Sequence, residues 1–143
     1  MPRAYEKIVI NADRDTIWRL LTTPADILKW YAGIDGLTAS DQYPAVGSSF
    51  DWRTRLAVLD LKGKNTVVDI TPGEQIRYRL SGMLEGTWTW RISEVAGGLL
   101  VESDADYHLT GGLAARMVEP AVHQINVANA KKSLESLKQL AEG

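Results

Sequence analysis

The sequence predicts an α+β domain in which a curved antiparallel sheet grips one long C-terminal helix. Two observations predict this class. Between about residues 34 and 110, segments of alternating apolar and polar residues are separated by short turns, which is typical of an antiparallel meander. From about residue 113 to residue 141, apolar residues recur at helical spacing, and their stripe must be buried. The apolar face of the sheet is the largest surface available to cover that stripe.

The predicted order of elements is one strand, two short helices, six strands and one long helix. In the opening AYEKIVIN, Ala4, Ile8 and Ile10 fall on one face of a strand. Asp13 is suited to cap the first helix, and Pro24 to begin the second. We predict the later strands near 34–41, 48–60, 63–71, 74–82, 84–95 and 97–109, and the long helix from about 113 to 141.

Turn residues and helical spacing complete this assignment. We assign the stretches DLKGKN, TPGEQ, SGMLEG and VAGG to turns, because they are rich in glycine and polar residues. Strand 48–60 is predicted to point Phe50, Trp52, Thr54, Leu56 and Val58 inward, with Ala57 on the other face. The buried stripe of the long helix is predicted to contain Leu113, Met117, Ala121, Ile125, Ala128, Leu134, Leu137 and Leu140.

Composition narrows the classes of function. The chain has 143 residues and 45% hydrophobic residues, which suits one domain, residues 1–143, with its own core. Its net charge of −2 argues against a nucleic-acid partner, and no apolar run reaches the roughly 20 residues of an integral membrane segment. Because cysteine is absent, we expect no disulfide and a cytoplasmic location. We expect a monomer or a homodimer.

Common catalytic signatures are missing from the sequence. It has no glycine-rich phosphate loop, HExxH, GxSxG or dinucleotide fingerprint, so we expect no cofactor. The run ESDADYH places Glu102, Asp104, Asp106 and His108 on one strand face. Same-face residues lie nearly 7 Å apart, too far for all four to share one ion. We therefore predict no metal, and pairing of these side chains with Lys7 and Arg91 on neighbouring strands.

Three stretches resemble the START-like, polyketide cyclase/dehydratase superfamily, SRPBCC, which has the helix-grip fold. VINADRDTIWRLLTTPADILKWY is similar to the opening strand and two helices of that family. VVDITPGEQIRYRLSG and GTWTWRISEVAGGLLVESDADYHLTGG are similar to its central hairpins, with a tryptophan in the penultimate strand and a glycine-rich turn. The likeness covers essentially the whole chain.

The resemblance implies a seven-stranded sheet wrapped around the C-terminal helix, with an apolar cavity between them. It implies binding of a small hydrophobic or amphipathic molecule, because members bind or transform lipids, sterols and polyketides. Three alternatives remain open: an enzyme of the polyketide cyclase/dehydratase type, a non-catalytic lipid or ligand carrier, and a partner-binding regulator. One fold that hosts such different tasks does not decide among them.

Candidate ligand-binding residues are those that alternation and helical spacing turn toward the cavity. Tyrosine and tryptophan combine large apolar area with one polar group, which suits an amphipathic ligand, although the same residues could simply fill a core. The resemblance places Trp30 and Tyr31 at the cavity mouth. The predicted ligand-binding set is Trp52, Thr54, Tyr78, Trp88, Trp90, Ser103, Tyr107, Met117, Ala121, Gln124 and Ile125.

Tyr107 and Gln124 are the candidate catalytic residues. A cyclase or dehydratase of this fold needs a positioned acid or base and a shaped pocket. Tyr107 could donate to a substrate carbonyl, with Gln124 as its orienting partner. Buried polar groups more often satisfy one another or the backbone, and that alternative stays open.

Overall fold

The computed structural model describes residues 2–56 and 59–143. Within them, the elements follow the order that the sequence predicts. The strands are β1 (Arg3–Ile10), β2 (Ile34–Ala39), β3 (Ser49–Leu56), β4 (Leu59–Thr71), β5 (Gln75–Gly82), β6 (Leu84–Val95) and β7 (Gly98–Leu109). The helices are α1 (Arg14–Thr22) and α2 (Pro24–Trp30), which follow β1, and α3 (Gly112–Glu142).

The described strands form an antiparallel seven-stranded sheet in the order β1-β7-β6-β5-β4-β3-β2. After β1, the two short helices carry the chain to the opposite edge of the sheet. The strands from β2 to β7 then return in sequence, and β7 closes the order by pairing with β1. The sheet curls around α3, which confirms the predicted α+β helix-grip fold. No helix of the described ranges is both long and apolar enough to cross a membrane.

The core lies between the concave face of the sheet and α3, with α1 and α2 covering one end. Side chains from every layer have no exposed surface: Ile10 of β1, Ile17 of α1, Ile76 of β5, Val101 of β7 and Leu137 of α3. Burial of an aliphatic side chain of this size contributes about 1.5–3 kcal/mol. The helix, the sheet and the short helices are therefore packed as one core.

The short helices begin where the sequence predicts. The Asp13 side chain caps α1 by accepting a hydrogen bond from the Thr16 backbone N–H at 2.7 Å. Pro24 occupies the first turn of α2, where its missing N–H costs nothing. The Trp30 indole N–H donates to the Leu20 carbonyl oxygen at 2.8 Å and ties α2 to α1.

The predicted turn DLKGKN is wrong, because residues 60–65 lie inside β4. β3 ends at Leu56 and β4 begins at Leu59, so the predicted outward Ala57 and inward Val58 lie outside the described residues. Gly63 belongs to the strand because the Trp52 indole packs over it. A Cβ atom at Gly63 would lie 2.3 Å from Trp52 Cζ2. Glycine here allows a close approach of a large ring, a use that its sequence context did not distinguish from a turn.

The predicted inner stripe of α3 is also wrong in its N-terminal half. Leu113 and Met117 are each 75% exposed, and Ala121 is exposed as well. Residues four apart on a helix are rotated by about 40°, so a strict fourfold series drifts off one face. The buried face follows the true helical period through Val122, Ala130, Ser133, Leu134 and Leu137. Leu134 and Leu137 are buried as predicted, whereas Leu140 is exposed.

The outer face of the sheet carries cross-strand charge pairs, as predicted, with partly different partners. Arg3 binds both carboxylate oxygens of Asp104, at 2.9 and 3.0 Å, and Arg91 lies 3.9 Å from the same carboxylate. Glu102, another residue of the acidic run, accepts a hydrogen bond from the Tyr5 hydroxyl. The carboxylate of Asp104 is thus held between two cations, which keeps its pKa below the ordinary range.

We predict that Gly63→Ala destabilises the protein by about 1–3 kcal/mol, because the added methyl group overlaps the Trp52 indole. Urea unfolding followed by circular dichroism measures the loss. Gly36→Ala is the matched control, since a Cβ atom at Gly36 meets nothing within 4 Å. An equal loss in both variants would show that Trp52 does not restrict position 63.

Candidate functional site

A cavity of about 80 Å³ lies between the concave face of the sheet, the middle of α3 and the segment that follows α2. Small side chains leave this space open, because Ala105 and Ala130, which both line it, offer only methyl groups. Glycine at position 86 has a different role. Its φ is 150°, and a Cβ atom there would lie 2.0 Å from the Asp106 carbonyl oxygen, so glycine lets β6 pair closely with β7. The apolar and aromatic lining consists of Ala4, Tyr31, Ala32, Ile34, Phe50, Trp52, Leu61, Leu80, Leu84, Trp88, Ala105 and Ala130.

The aromatic part of the lining presents mainly apolar surface. The Trp88 indole N–H donates to Ser103 Oγ at 2.9 Å, and the Trp52 indole N–H donates to Asn65 Oδ1 at 2.9 Å. Tyr31 packs edge-on against Trp88, with ring centroids 5.3 Å apart. Because both indole N–H groups are already paired, the rings offer the cavity shape and apolar area rather than hydrogen bonds.

The polar part of the lining comes from β7 and α3. The Tyr107 hydroxyl lies 2.9 Å from His123 Nδ1 and accepts a hydrogen bond from Asn126 Nδ2, also at 2.9 Å. Asn129 follows one helical turn later and lines the same cavity. Its side chain lies at the wall beside Gly33 and Thr54. Two carboxamides and one phenol therefore border the space, together with the hydroxyls of Thr54 and Ser103, which are bonded to the Gly33 carbonyl oxygen and the Trp88 indole.

A hydrogen-bonded serine holds α3 in place beside the cavity. The Ser133 hydroxyl accepts a hydrogen bond from the Ala32 backbone N–H at 2.8 Å and donates to the Asn129 carbonyl oxygen at 2.6 Å. Ser133 is completely buried. This link sets the distance between α3 and the segment after α2, and so determines where Asn129 lies.

Burial raises the pKa of Tyr107 above its ordinary value, with the carboxylate of Glu119 adding to the effect and Asn126 opposing it. Burial likewise raises the pKa of Tyr31. Both phenols are neutral at physiological pH. Each can exchange hydrogen bonds with an uncharged ligand, and neither is poised to act as a phenolate base.

Five of the predicted ligand-binding residues line the cavity, and so does one of the two residues predicted at its mouth. The five are Trp52, Thr54, Trp88, Ser103 and Tyr107, and the sixth residue is Tyr31. The period of two along each strand placed these side chains on the inner face correctly. The Thr54 hydroxyl donates to the Gly33 carbonyl oxygen, so it lies at the wall beside Asn129.

Three predicted residues face inward but lie in the solid core. Tyr78 is almost completely buried, and its hydroxyl pairs with that of Tyr43 at 2.6 Å. Trp90 packs edge-on against Trp30, with centroids 5.6 Å apart. Trp30 is therefore an interior residue rather than part of a mouth. The alternation of apolar and polar residues predicts which face of a strand a side chain lies on. It does not predict whether that side chain borders the cavity or packs in the core, so it does not exclude Tyr78 and Trp90 from the cavity.

The residues predicted on α3 do not line the cavity. Met117, Ala121 and Gln124 are on the exposed face, and Ile125 packs beside Leu61 and Val122 in a small separate cluster. The predicted pairing of Tyr107 with Gln124 is wrong for the same reason.

The α3 residues that do line the cavity are Asn126, Asn129 and Ala130, and the sequence-based prediction missed all three. The helical spacing in the sequence locates two of them. Continuing the face of Leu134 and Leu137 toward the N-terminus in steps of three and four reaches positions 130 and 126. Because asparagine is polar, a search for an apolar stripe passed over it.

The fold is that of a helix-grip protein, and comparison places the chain in a family. Residues 1–142 match the family described as polyketide cyclase / dehydrase and lipid transport, and the chain belongs to that family. No curated protein matches the sequence.

Solved structures share the fold at low sequence identity. TTHA0849 from Thermus thermophilus is 14% identical, with a TM-score of 0.82 over 96% of this chain and 95% of that chain. The di-domain ARO/CYC StfQ from the steffimycin biosynthetic pathway is 15% identical, with a TM-score of 0.77 over 99% of this chain and 50% of that chain. The Aha1 dimer from Colwellia psychrerythraea is 19% identical, with a TM-score of 0.66 over 99% and 97%. At these identities the likeness concerns the fold alone.

The hydrogen-bonded pair Tyr43 and Tyr78 predicts that the free energy of unfolding depends on pH in the alkaline range. Burial raises the pKa of Tyr43 to about 12, and that of Tyr78 is also well above its ordinary value. Unfolded tyrosine ionises near pH 10, so the stabilisation is complete below about pH 10 and is lost as pH rises toward 12. Tyr43→Phe should lose less stability over this range, by up to about 1.4 kcal/mol per pH unit. Urea unfolding from about pH 9 to about pH 11 measures both profiles. If the free energy of unfolding falls equally with pH in wild type and in Tyr43→Phe, the raised pKa of Tyr43 is contradicted.

Proposed function

We propose that this protein binds a small hydrophobic or amphipathic molecule in the cavity between the sheet and α3. The observation that supports this most is the composition of the cavity lining. Aromatic rings with satisfied N–H groups supply apolar area, while Asn126, Asn129 and Tyr107 supply a few hydrogen-bonding groups. Binding sites for small organic molecules have this combination of a mostly apolar lining and sparse polar contacts.

The cavity volume sets a condition on such binding. At about 80 Å³ it is roughly half of an engineered cavity of about 150 Å³ that accepts benzene. Sites for drug-sized ligands have about 300–1,000 Å³. A ligand larger than a few water molecules therefore needs the lining side chains to move apart. We propose that the described conformation is the closed state of a carrier.

Filling the cavity should weaken ligand binding without unfolding the protein. Ala130 lines the cavity on α3, and Ala130→Leu adds three carbon atoms to it. We expect affinity for a small apolar probe, ethylbenzene, to fall at least about tenfold, measured by isothermal titration calorimetry. Ala128→Leu is the matched control, because Ala128 is on the exposed face two residues away. It should bind within about twofold of wild type.

Two outcomes of that experiment would count against the proposal. Equal binding by the two leucine variants would place the probe outside the cavity. Wild-type protein that binds no apolar probe, and that carries no small molecule in native mass spectra after purification from its own host, would exclude the carrier function. If Ala130→Leu is too unstable to measure, Ala105→Val reduces the same cavity from β7.

One observation favours a second candidate function, catalysis of the cyclase or dehydratase type. The Tyr107 hydroxyl borders the cavity and is bonded to His123 and Asn126. When His123 carries a proton on Nδ1, both neighbours donate to Tyr107, and its own O–H proton is directed elsewhere. Tyr107 could then donate to a ligand oxygen on which negative charge develops, as an oxyanion-stabilising group does.

This second function is tested with the aldol adduct of acetone and benzaldehyde, which loses water to form a strongly absorbing enone. We expect wild-type protein to accelerate the loss of water. Tyr107→Phe should lower the rate about 100-fold or more, because one oxyanion donor is removed. Gln124→Leu is the control, since Gln124 is exposed on α3. The catalytic proposal is abandoned if wild type gives no acceleration, or if both variants retain it.

A further inference from the structure

Asn65 is a polar residue on the concave face of the sheet. It lies on β4 and is only 1% exposed. Its cross-strand neighbours are Phe50 on β3 and Leu80 on β5, both of which line the cavity. A polar side chain surrounded in this way is uncommon unless all of its hydrogen-bonding groups have partners.

One half of the Asn65 carboxamide has a partner and the other half does not. Oδ1 accepts the hydrogen bond from the Trp52 indole N–H. Because an indole nitrogen only donates, this bond fixes which end of the carboxamide is oxygen. Nδ2 is buried and has no hydrogen-bond partner among the described residues. A buried N–H donor without an acceptor is destabilising, so this side chain gains from any acceptor that reaches it.

The residue with the unpaired N–H group is flanked by side chains that line the cavity. Phe50 and Leu80 are its cross-strand neighbours, and Trp52 donates to it. The cavity is too small for an organic ligand unless its lining moves. Where that movement brings a ligand acceptor to Nδ2, a hydrogen bond replaces an unpaired donor. For a ligand with a hydrogen-bond acceptor, enlargement of the cavity toward β4 is therefore favoured over enlargement toward walls that are purely apolar.

We infer that Asn65 is a recognition residue that donates a hydrogen bond from Nδ2 to a carbonyl oxygen of the ligand. The inference rests on the proposed function, and it adds the chemical class of the ligand: an apolar molecule that bears a carbonyl group at the end lying against β4. Trp52, held by the other half of the same carboxamide, packs beside that end.

The test compares two probes of nearly equal shape, acetophenone and ethylbenzene, which differ by a carbonyl oxygen. Affinities are measured by calorimetry for wild type, Asn65→Val and Asn65→Thr. Valine and threonine have the same shape, so both create the same packing change, but threonine keeps a hydroxyl donor. The acetophenone-to-ethylbenzene affinity ratio should fall about five- to tenfold in the valine variant, the value of one net hydrogen bond. In the threonine variant, this affinity ratio should lie between the values for wild type and the valine variant.

Each outcome decides between distinct explanations. If Asn65 acts only by holding Trp52, the variants change the affinity for both probes equally and leave the ratio unaltered, which overturns the inference. The same result is expected if a water molecule pairs with Nδ2. Wild-type protein that binds neither probe removes the proposed function and the inference with it. Binding of both probes with an unchanged ratio removes the inference alone. If the valine variant is too unstable, Asn65→Leu fills the space and provides the same comparison.

Discussion

The packing of α3 against the concave face of the sheet is the contact on which the rest of the structure depends. The packing is tight along the C-terminal half of the helix and looser at its middle. The C-terminal half inserts Leu134 and Leu137 into the core, where both are buried. The middle of the helix presents Asn126, Asn129 and Ala130 instead, which are too small or too polar to fill the space opposite the aromatic strands. The same contact thus stabilises the fold at one end and leaves a cavity farther along.

Very large and very small side chains determine the shape of that cavity together. Trp52 packs over Gly63, and Gly86 brings β6 and β7 close together without adding a side chain to the inner face. Trp88 lines the cavity while Trp90, two residues later, is in the core against Trp30. The two tryptophans share a face because a strand repeats every two residues, yet only one of them contacts the open space. Position along the strand therefore determines whether an inward side chain lines the cavity or packs in the core.

The polar groups around the cavity differ in whether they already have a hydrogen-bond partner. The indole N–H groups do, because Trp88 donates to Ser103 and Trp52 donates to Asn65. The other polar groups of this region are the Tyr107 phenol, the carboxamides of Asn126 and Asn129 on α3, and Asn65 Nδ2, which has no partner among the described residues. A carboxamide donates and accepts, whereas an indole only donates. In the function proposed above, the apolar lining supplies affinity and these polar groups supply orientation.

The fold class, the element order, the starts of the two short helices and the inward face of most strands were all predictable from the sequence. These features depend on neighbours a few residues apart, through the period of two, the helical period and the chemistry of helix starts and turns. Three features follow instead from tertiary packing: Gly63 is a strand residue beneath Trp52, α3 turns Asn126 and Asn129 inward, and Tyr78 and Trp90 belong to the core. Each of those depends on contacts between residues distant in the chain, and local periodicity carries no information about the space that remains between packed surfaces.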